Sequence, residues 1–585
     1  MSSQDRRAYL VATVLDQAFL DQTAQDNLET RLELIVDIET TTGHIRASDR
    51  NKYVGPTFYE ALLTFPVINR KISHYLQNQI EFSSLTLDLS NVDSRFNNFQ
   101  LGGSDYSGFI GKSVVVSLGL RDQASTYKQI FSGLVTFIAG FGRTTKSLTF
   151  TTRDAFDKVD QNLPSTALTV ASFPNLEEDK IGLAVPVIYG DWTTAVQKDP
   201  YGVETASVPL YCVNGDYALA NPTANAEFII SENANTSFDV TAVYIKRSGY
   251  FTAFDPADIV NLNVNKNYVE IKQTAATQIP PPPAISGAGA GPGGSEVWTY
   301  ANGDEIFCRV VGKALAGGLT NNPVAQAEDI LVTYGGFAYG DFDASWATFE
   351  AKATPLQSAI ALIPSRVWLQ EVQTAMQYSI SLLAQVRLEL FVNREEKLQL
   401  VSNHFEDWVA SPSFKVRNWD VVKETFKPTL DSQNNFNRAR ALYDRKAGAS
   451  ETSLATGFYN NAAAITQMGR TATKEIIFPN LYTKDDVTRQ LVEILRLASA
   501  QSELVSVTLT SRSVLLELGQ WVLVSVQIGA VVFDNVPAQV REIGYDPSGL
   551  QVPVVLWSMQ AVPFPGYSPG YSGIVGGFSA TITAE

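Results

Sequence analysis

The chain has 585 residues, more than one hydrophobic core accommodates, which predicts roughly three to five domains. Hydrophobic residues make up 45% and charged residues 18%, a globular composition that excludes global disorder. The net charge is −16, from 60 acidic and 44 basic residues. That balance disfavours tight nucleic-acid binding, because such binding needs Lys and Arg to displace phosphate counterions.

The cysteine content and the apolar runs argue against a disulfide-stabilised scaffold and against a membrane-spanning helix. Only Cys212 and Cys308 occur, which excludes a disulfide framework and predicts two buried free thiols, with a single bridge as the unsupported alternative. Asp16 and Asp21 interrupt the N-terminal segment, which is therefore not a signal peptide. The longest apolar run, residues 518–533, is shorter than the ~20 residues of a spanning helix. We expect a soluble protein made in a cytoplasm.

The first 180 residues are predicted to be β structure. Leu32, Leu34, Val36 and Ile38 alternate with mostly polar residues, the period-two pattern of a half-buried strand. The pattern returns over residues 85–89, and further strands are predicted at 113–120, 129–138 and 147–152. Strands at this spacing favour an antiparallel barrel or sandwich. We predict an N-terminal β domain over residues 1–180.

Residues 181–320 are predicted to form a second β-rich domain. It begins with the VPVIYGDW segment at 185–192 and carries short strands near 243–246 and 268–272. A Pro/Gly-rich stretch follows at 279–294, where four consecutive prolines favour an extended conformation. This stretch is predicted to be an exposed loop or a linker, and a loop that contacts a partner is the alternative.

Residues 321–414 carry the clearest helix signals and are predicted to form an α+β domain. Asn322 before Pro323 is a helix-start signal, and Asp343 can cap a short helix that carries Trp346 and Phe349. A longer helix is predicted over 369–383, with Val372, Met376, Ile380 and Leu383 facing inward. A hairpin follows, with strands over 386–392 and 398–400.

The last segment, residues 415–585, is predicted to form a second β domain with an extended tail of about 20 residues. Thr483 can cap one amphipathic helix, and Asp485 and Asp486 in its first turn suit the helix dipole. Strands are predicted at 504–510, 520–526 and 538–545. The fold class is therefore mainly β with α+β middle domains: two barrel-like β domains plus inserted β and α+β domains.

We find no catalytic, cofactor-binding or metal-binding set, and predict no cofactor. A structural zinc site needs four ligands, usually Cys or His. His44, His74 and His404 each lie far in sequence from any other His or Cys, so they do not form one. The 108–113 stretch resembles a phosphate loop but has Tyr106 at the position of the first Gly, and a strand is predicted after it. Acidic residues at 177–179 and 395–396 lie in predicted turns and are interpreted as solvated. The alternative is a pair of glycosidase carboxylates, whose separation across a cleft a sequence cannot show.

Several segments, in chain order, resemble the central tail hub proteins of long-tailed phages, the family that includes the tip attachment protein J of lambdoid phages. They are residues 44–55 (HIRASDRNKYVG), 83–99 (SSLTLDLSNVDSRFNNF), 111–120, 130–133 (IFSG), 148–157, 185–192 (VPVIYGDW), 322–336, 343–349, 369–401, 434–444 (NNFNRARALYD), 516–526 (LELGQWVLVSV) and 540–549. Gly519-Gln520 departs from the Gly-Asp common in the family. No extension after residue 555 resembles the receptor-binding parts of the lambdoid protein, which puts direct receptor binding in doubt.

The resemblance implies a structural baseplate hub, not an enzyme, located at the tail tip of a virion. It implies a homotrimer in which two barrel-like domains per chain, at 1–180 and about 415–585, form a pseudo-sixfold ring. Implied partners are a distal tail protein, the C-terminus of the tape measure protein, and tip or fibre proteins. DNA would be met only in transit and the host envelope only indirectly, and the role would be to close the DNA channel and open it on infection.

Two other functions stay open: a tail-borne carbohydrate-active enzyme and a glycan-binding adhesion module. The acidic balance also has two interpretations, plain solubility or a channel wall that DNA passes without sticking. For the second, Glu33, Asp37 and Asp88 are the candidate lining residues, since each lies on the polar face of a predicted strand.

Overall fold

The fold is taken from a computed structural model. The residues it describes are 32–64, 68–72, 84–99, 103–120, 124, 127–142, 147–153, 162–195, 206–232, 239–247, 250–260, 267–273, 278–279, 296–301, 304–315, 321–351, 363–403, 414–430, 435–447, 452–499, 503–510, 513–514, 516–528, 531–545, 551–558 and 582–584.

The N-terminal strands follow the predicted alternation. They are β1 (Leu32–Thr40), β2 (Gly43–Ser48), β3 (Lys52–Val54), β4 (Thr57–Ala61), β5 (Leu63–Thr64), β6 (Ile68–Lys71), β7 (Ser84–Ser90), β8 (Ser113–Leu120), β9 (Lys128–Gly142) and β10 (Ser147–Arg153). Leu34, Val36 and Ile38 on β1 are fully buried, as period two requires. The predicted strands at 113–120, 129–138 and 147–152 are confirmed as β8, β9 and β10.

The second region builds a six-stranded sheet in the order β16-β15-β20-β13-β14-β17. Its elements are β11 (Asn162–Leu163), β12 (Val187–Tyr189), β13 (Val208–Cys212), α1 (Gly215–Ala220), β14 (Asn225–Ile229), β15 (Asp239–Arg247), β16 (Tyr250–Ala253), β17 (Tyr268–Lys272), β18 (Gln278–Ile279), β19 (Glu296–Val297) and β20 (Glu305–Val311). β15 and β17 confirm the predicted strands. Within the predicted 279–294 loop, residues 280–294 lie outside the described residues.

The predicted caps hold in the third region. Its elements are α2 (Pro323–Thr333), α3 (Ser345–Ala351), β21 (Val367–Leu369), β22 (Gln373–Thr374), α4 (Ala375–Gln385), β23 (Leu388–Val392) and β24 (Leu398–Ser402). The Asn322 side chain accepts hydrogen bonds from the N–H groups of Val324 and Ala325 at the start of α2. Asp343 accepts one from the N–H of Ser345 at 2.8 Å, so both helices begin where a side chain satisfies free backbone donors.

The helix predicted over 369–383 begins too early. Leu369 ends strand β21, which pairs with β12, and α4 begins only after Thr374 caps it. Val372, predicted to face inward, is 62% exposed, whereas Met376 is buried. Apolar residues at helical spacing also occur before the start of α4. There the chain instead forms strand β21, because it pairs with β12, which is distant in sequence.

The last region returns to β structure around two helices. Its elements are β25 (Phe414–Arg417), β26 (Lys427–Leu430), β27 (Arg438–Arg445), β28 (Thr452–Ala455), β29 (Tyr459–Asn461), α5 (Ala462–Met468), β30 (Thr473–Phe478), α6 (Lys484–Ser499), β31 (Glu503–Thr510), β32 (Trp521–Ile528), β33 (Val531–Tyr545), β34 (Gln551–Ser558) and β35 (Ile582–Ala584). The amphipathic helix after Thr483 is confirmed as α6, with Val487, Leu491 and Leu495 fully buried. The predicted tail lies outside the described residues except for β35.

The pairing of the N-terminal strands forms a closed circuit, the first barrel. Residues 57–64 form its closing segment: β4 pairs in parallel with β2, and β5 pairs antiparallel with β7. The order β2-β1-β8-β9-β10-β7 is antiparallel throughout and completes the circuit. Register shifts between β9 and β10 supply the local bending that a closed sheet needs.

The C-terminal strands form a second barrel that is closed in the same manner. In its closing segment, residues 414–430, β25 pairs in parallel with β32 and β26 pairs antiparallel with β31. Between these strands the N–H of Val422 donates to the Thr508 carbonyl at 2.8 Å. The order β32-β33-β34-β31 completes the circuit. The prediction of a mainly β chain with α+β parts is confirmed.

The two barrels belong to one 16-stranded sheet, because β6 pairs with both β33 and β7. They also share one core, which runs from Leu34 to Phe150 and from Phe391 to Leu556. A second core combines helices α2, α4 and α6 with β23, β24 and β27, and a third fills the six-stranded sheet. The division of the chain at residues 180, 320 and 414 stays a prediction.

Candidate functional site

Of the three histidines, His44 is the one that lies within the described residues. The Nδ1 atom of His44 lies 2.7 Å from an Asp37 carboxylate oxygen, and both side chains are partly exposed. His74 and His404 lie outside the described residues. Among the described residues, no group of three or more His, Cys, Asp or Glu could hold a metal ion, and no helix is long and apolar enough to cross a membrane.

Both cysteines are free and buried, which confirms the predicted pair of buried thiols. Cys212 ends β13, and Cys308 lies in the middle of the neighbouring strand β20. Burial raises the pKa of the Cys212 thiol to about 12 and also raises the pKa of Cys308. Because the thiolate is the reactive form, both thiols are inert near neutral pH.

The interpretation of Glu177 as part of a solvated turn is wrong. Its side chain is buried, and one carboxylate oxygen accepts a hydrogen bond from the Tyr300 hydroxyl at 2.9 Å. Desolvation raises the pKa of this carboxyl group. Glu395 lies in the β23–β24 turn and is exposed, as expected. Ser113 begins strand β8, so the 108–113 stretch does not lead into the helix that a phosphate loop requires.

The three acidic residues proposed to line a channel are engaged in local pairs. Glu33 is 3% exposed and bonded to Lys52 at 3.1 Å and to Arg50 at 3.0 Å, so the prediction that it lies on an open face is wrong. Asp37 pairs with His44 and Arg46. Asp88 accepts a hydrogen bond from a threonine on β10. The cationic and hydroxyl partners arise from cross-strand register, which the sequence pattern alone did not provide.

A hydrogen bond from Arg70 and an ion pair with Arg541 attach the β23–β24 hairpin to strands β6 and β33. On β6, the strand that joins the two barrels, Arg70 lies 2.6 Å from Glu517 and donates to the Val392 carbonyl of the hairpin at 2.9 Å. On β33 of the second barrel, Arg541 donates to Glu389 at 2.8 Å. These side chains are at most 15% exposed. Removing one partner of a buried ion pair is costly, so these contacts attach the hairpin firmly to β6 and β33, the strands through which the two barrels are joined.

The 185–192 segment joins the six-stranded sheet to the helical part. Gly190 has a φ of +85°, and a Cβ there would meet the Ser365 carbonyl oxygen at 2.5 Å, so only glycine fits. The guanidinium of Arg366 lies 4.9 Å from the Trp192 ring and 4.3 Å from the Tyr482 ring, and it also pairs with Asp444. The segment therefore acts as a structural joint.

Each barrel exposes aromatic side chains, and we call each of these two surfaces an aromatic cluster: Tyr53 with Phe58 on the first barrel, and Trp419 with Arg417 on the second. On β3 and β4, Tyr53 is 70% exposed and Phe58 44%, with ring centroids 5.1 Å apart. In the closing segment of the second barrel, Trp419 is 62% exposed with the Arg417 guanidinium 4.9 Å from its ring. Aromatic residues and Arg are enriched in protein interfaces. Sequence reasoning missed both clusters, because exposure depends on the tertiary fold.

Comparisons with known proteins give distant likenesses only. No family model matches the chain, and no curated protein does. The 43 kDa tail protein of prophage MuSo2 from Shewanella oneidensis is 9% identical, covering 90% of this chain and 98% of that one, with a TM-score of 0.38. A tail protein from Neisseria meningitidis is 8% identical, covering 90% and 96%, with a TM-score of 0.37. A prophage tail protein from Listeria monocytogenes is 9% identical, covering 91% and 95%, with a TM-score of 0.31. Likenesses with TM-scores and identities this low decide neither the fold nor the function of this chain.

Proposed function

We propose that this chain is a structural protein of a phage tail, the central hub of the tail tip, and not an enzyme. The carrying observation is that one chain holds two barrels closed in the same manner within one continuous sheet. The resemblance to tail hub proteins of several sequence segments, which follow one another in the same order along the chain, points to the same role.

The presence of two similar barrels in one chain fits a position in the tail where a sixfold part meets a threefold part. Three copies of a chain with two similar barrels place six barrels around one axis, so a homotrimer presents a pseudo-sixfold ring. Such a ring would match a sixfold tail tube on one side and a threefold tip on the other. Closed cyclic symmetry repeats each contact, so modest surfaces suffice to hold the ring.

The exposed aromatic clusters are the surfaces that we assign to contacts between barrels of adjacent copies. The Tyr53–Phe58 pair lies on the first barrel and the Arg417–Trp419 pair on the second. Burying one aromatic cluster against the other would remove apolar area from water and would shield the existing Arg417–Trp419 cation–π contact from solvent.

The proposed partners are a distal tail protein, the C-terminal end of a tape measure protein, and tip or fibre proteins. DNA would pass the ring in transit, and the host envelope would be met through the fibre proteins. The ring would keep the channel closed until the tip meets the host. The barrels share one sheet, and Arg70 and Arg541 attach the hairpin to β6 and β33 of that sheet, which favours opening by movement of whole subunits.

Native mass spectrometry of the purified full chain, alone and with its neighbouring tail proteins, tests the assembly. We expect a trimer, or a monomer that becomes trimeric with its neighbours. A stable dimer or tetramer in the particle would overturn the proposal. Gold labelling of a tagged chain in intact particles tests the location, and label confined to the head or along the tube would contradict a tip position.

The proposal of a non-enzyme is tested by a sugar-release assay on host envelopes. We expect no release by the purified chain and no change in infectivity beyond folding effects when His44, His74 and His404 are all replaced by Gln. A hydrolytic activity abolished by one of these replacements, with folding intact, would instead favour a tail-borne carbohydrate-active enzyme.

A further inference from the structure

Among the residues that the structure describes, one edge of strand β29 is covered by a strand from a distant part of the chain. One side of β29 pairs with β27, where Arg438 lies opposite Asn460. The other side pairs with β35, where Thr583 lies opposite Asn460 and Ile582 opposite Asn461. Without β35, the backbone donors and acceptors along this edge would be unpaired, and such edges readily accept another strand. β29 is therefore a strand-acceptor site, and β35 is its occupant.

The path from the second barrel to this site within one chain is short. The Asn461 side chain donates to the Ser499 hydroxyl at 2.7 Å, and Glu503, four residues later, lies opposite Ser558 at the end of β34. Adding side-chain lengths, four residues of chain and two cross-strand spacings places Ser558 and Ile582 at most about 35 Å apart.

The connecting chain is much longer than this path. Residues 559–581 supply 23 residues between β34 and β35, and a chain of that length spans up to about 80 Å. A compact chain of 585 residues has a radius of gyration of about 25 Å. Strand β35 can therefore reach the β29 edge of an adjacent copy as well as its own.

We infer that strand β35 is exchanged between adjacent copies in the assembled protein, where it completes the β29 edge of its neighbour. The inference rests on the proposed function, since it requires a multi-copy assembly. Exchange preserves every β29–β35 pair, so it costs little contact energy. It also adds a tether to each subunit contact and raises the effective concentration of the strand at the neighbouring site.

A cysteine pair reports which chain supplies the strand. In an Asn460→Cys/Thr583→Cys double variant of the full chain, mild oxidation should link the two positions, which lie opposite each other. Cys212 and Cys308 are buried and do not compete. A matched control, Arg438→Cys/Asn460→Cys, places the pair across β27 and β29, and its link should stay within one chain.

If β35 is exchanged, non-reducing gels of the assembled double variant should show covalently joined chains up to a trimer, while the control runs as a monomer. Links formed only within single chains, in protein that native mass spectrometry shows to be trimeric, would overturn the exchange and leave the proposed function intact. Protein that stays monomeric with its tail partners would overturn the trimer and the exchange together. A Tyr459→Cys/Ala584→Cys pair, at the adjacent register position, serves if the first variant fails to fold.

Discussion

The two barrels share a chain path but differ in circumference. In each, a closing segment is followed by four strands in the same pairing order: β7, β8, β9 and β10 in the first barrel, and β31, β32, β33 and β34 in the second. The third strand of each set, β9 or β33, has 15 residues. In the first barrel the β1–β2 hairpin lies between β8 and the closing segment, whereas in the second β25 pairs directly with β32. One added hairpin thus widens a barrel without altering its connectivity.

The barrels also differ in what satisfies their buried charges. The first barrel holds Glu33 with its own Arg50 and Lys52. In the second, Arg541 and Glu517 find partners outside the barrel, on the β23–β24 hairpin and on β6. The first barrel is therefore the more self-contained unit, and the second depends on its surroundings.

The largest effect is expected in the shared core. Phe150 in the first barrel and Phe533 in the second are both buried within it, so changing either to Ala should lower the free energy of unfolding by about 3–5 kcal/mol. Because the core is continuous, each variant should shift one common unfolding transition, which differential scanning calorimetry measures.

Phe137→Ala is the matched control, since its ring is 60% exposed and its loss should change stability by less than about 0.5 kcal/mol. Two separate transitions, each moved by only one of the core variants, would show that the barrels unfold independently despite the shared sheet.

A somewhat smaller effect is expected where the second barrel depends on its surroundings. Glu517→Gln leaves Arg70 and Arg394 without their carboxylate, and removing one partner of a buried pair costs about 3 kcal/mol. Hydrogen exchange should also speed up in β23 and β24, because the ion pair between Glu517 and Arg394 in the hairpin turn is lost.

Glu39→Gln is the control on the first barrel, because its contact with Lys112 is 3.9 Å and exposed and such pairs contribute less than about 1 kcal/mol. Unchanged exchange in the hairpin of the Glu517→Gln variant would contradict a role of the Arg394–Glu517 pair in holding the hairpin.

Local patterns predicted the elements, and long-range pairing decided the rest. The alternation over β1 and β7 and the caps at Asn322 and Asp343 depend on neighbouring residues, so the sequence reveals them. The β6–β33 pairing joins Arg70 to Ile543, residues far apart in the chain, and no local period encodes it. The same reason explains the wrong predictions for Val372, Glu177 and Glu33. A strand pairing replaces the predicted helix before Val372, and residues from other elements bury Glu177 and pair with Glu33.

Glu328 on helix α2 should make the stability of the protein depend on pH. Burial, then the neighbouring Glu350 carboxylate, raise the pKa of Glu328 to about 7. Because the folded-state pKa lies above the unfolded value, protonation favours the folded state fully below about pH 4.5, and this contribution is lost as the pH rises through about 7.

Glu328→Gln mimics the protonated carboxyl group. The variant should match the parent at pH 4.5 and exceed its free energy of unfolding at pH 8 by about 1 kcal/mol, a value reduced for solvent screening of a half-buried group. Urea unfolding at both pH values measures this, and an equal difference at the two would refute a raised pKa. The two barrel-core variants should keep the pH dependence of the parent.

The smallest effect on stability is expected at the aromatic clusters, and it separates folding from assembly. Trp419→Ala removes a ring that is 62% exposed, so the free energy of unfolding of the single chain should change by less than about 0.5 kcal/mol. If the cluster contacts the first barrel of an adjacent copy, the same change should weaken trimer formation at least about tenfold, since buried Trp anchors dominate interfaces. Tyr53→Ala should do the same from the other barrel, whereas Ile477→Ala, 58% exposed on β30, should alter neither property. Mass photometry over a dilution series measures the association. Trimers that survive dilution equally well in all three variants would remove the aromatic clusters from the subunit contact and leave the two barrels without an assigned meeting surface.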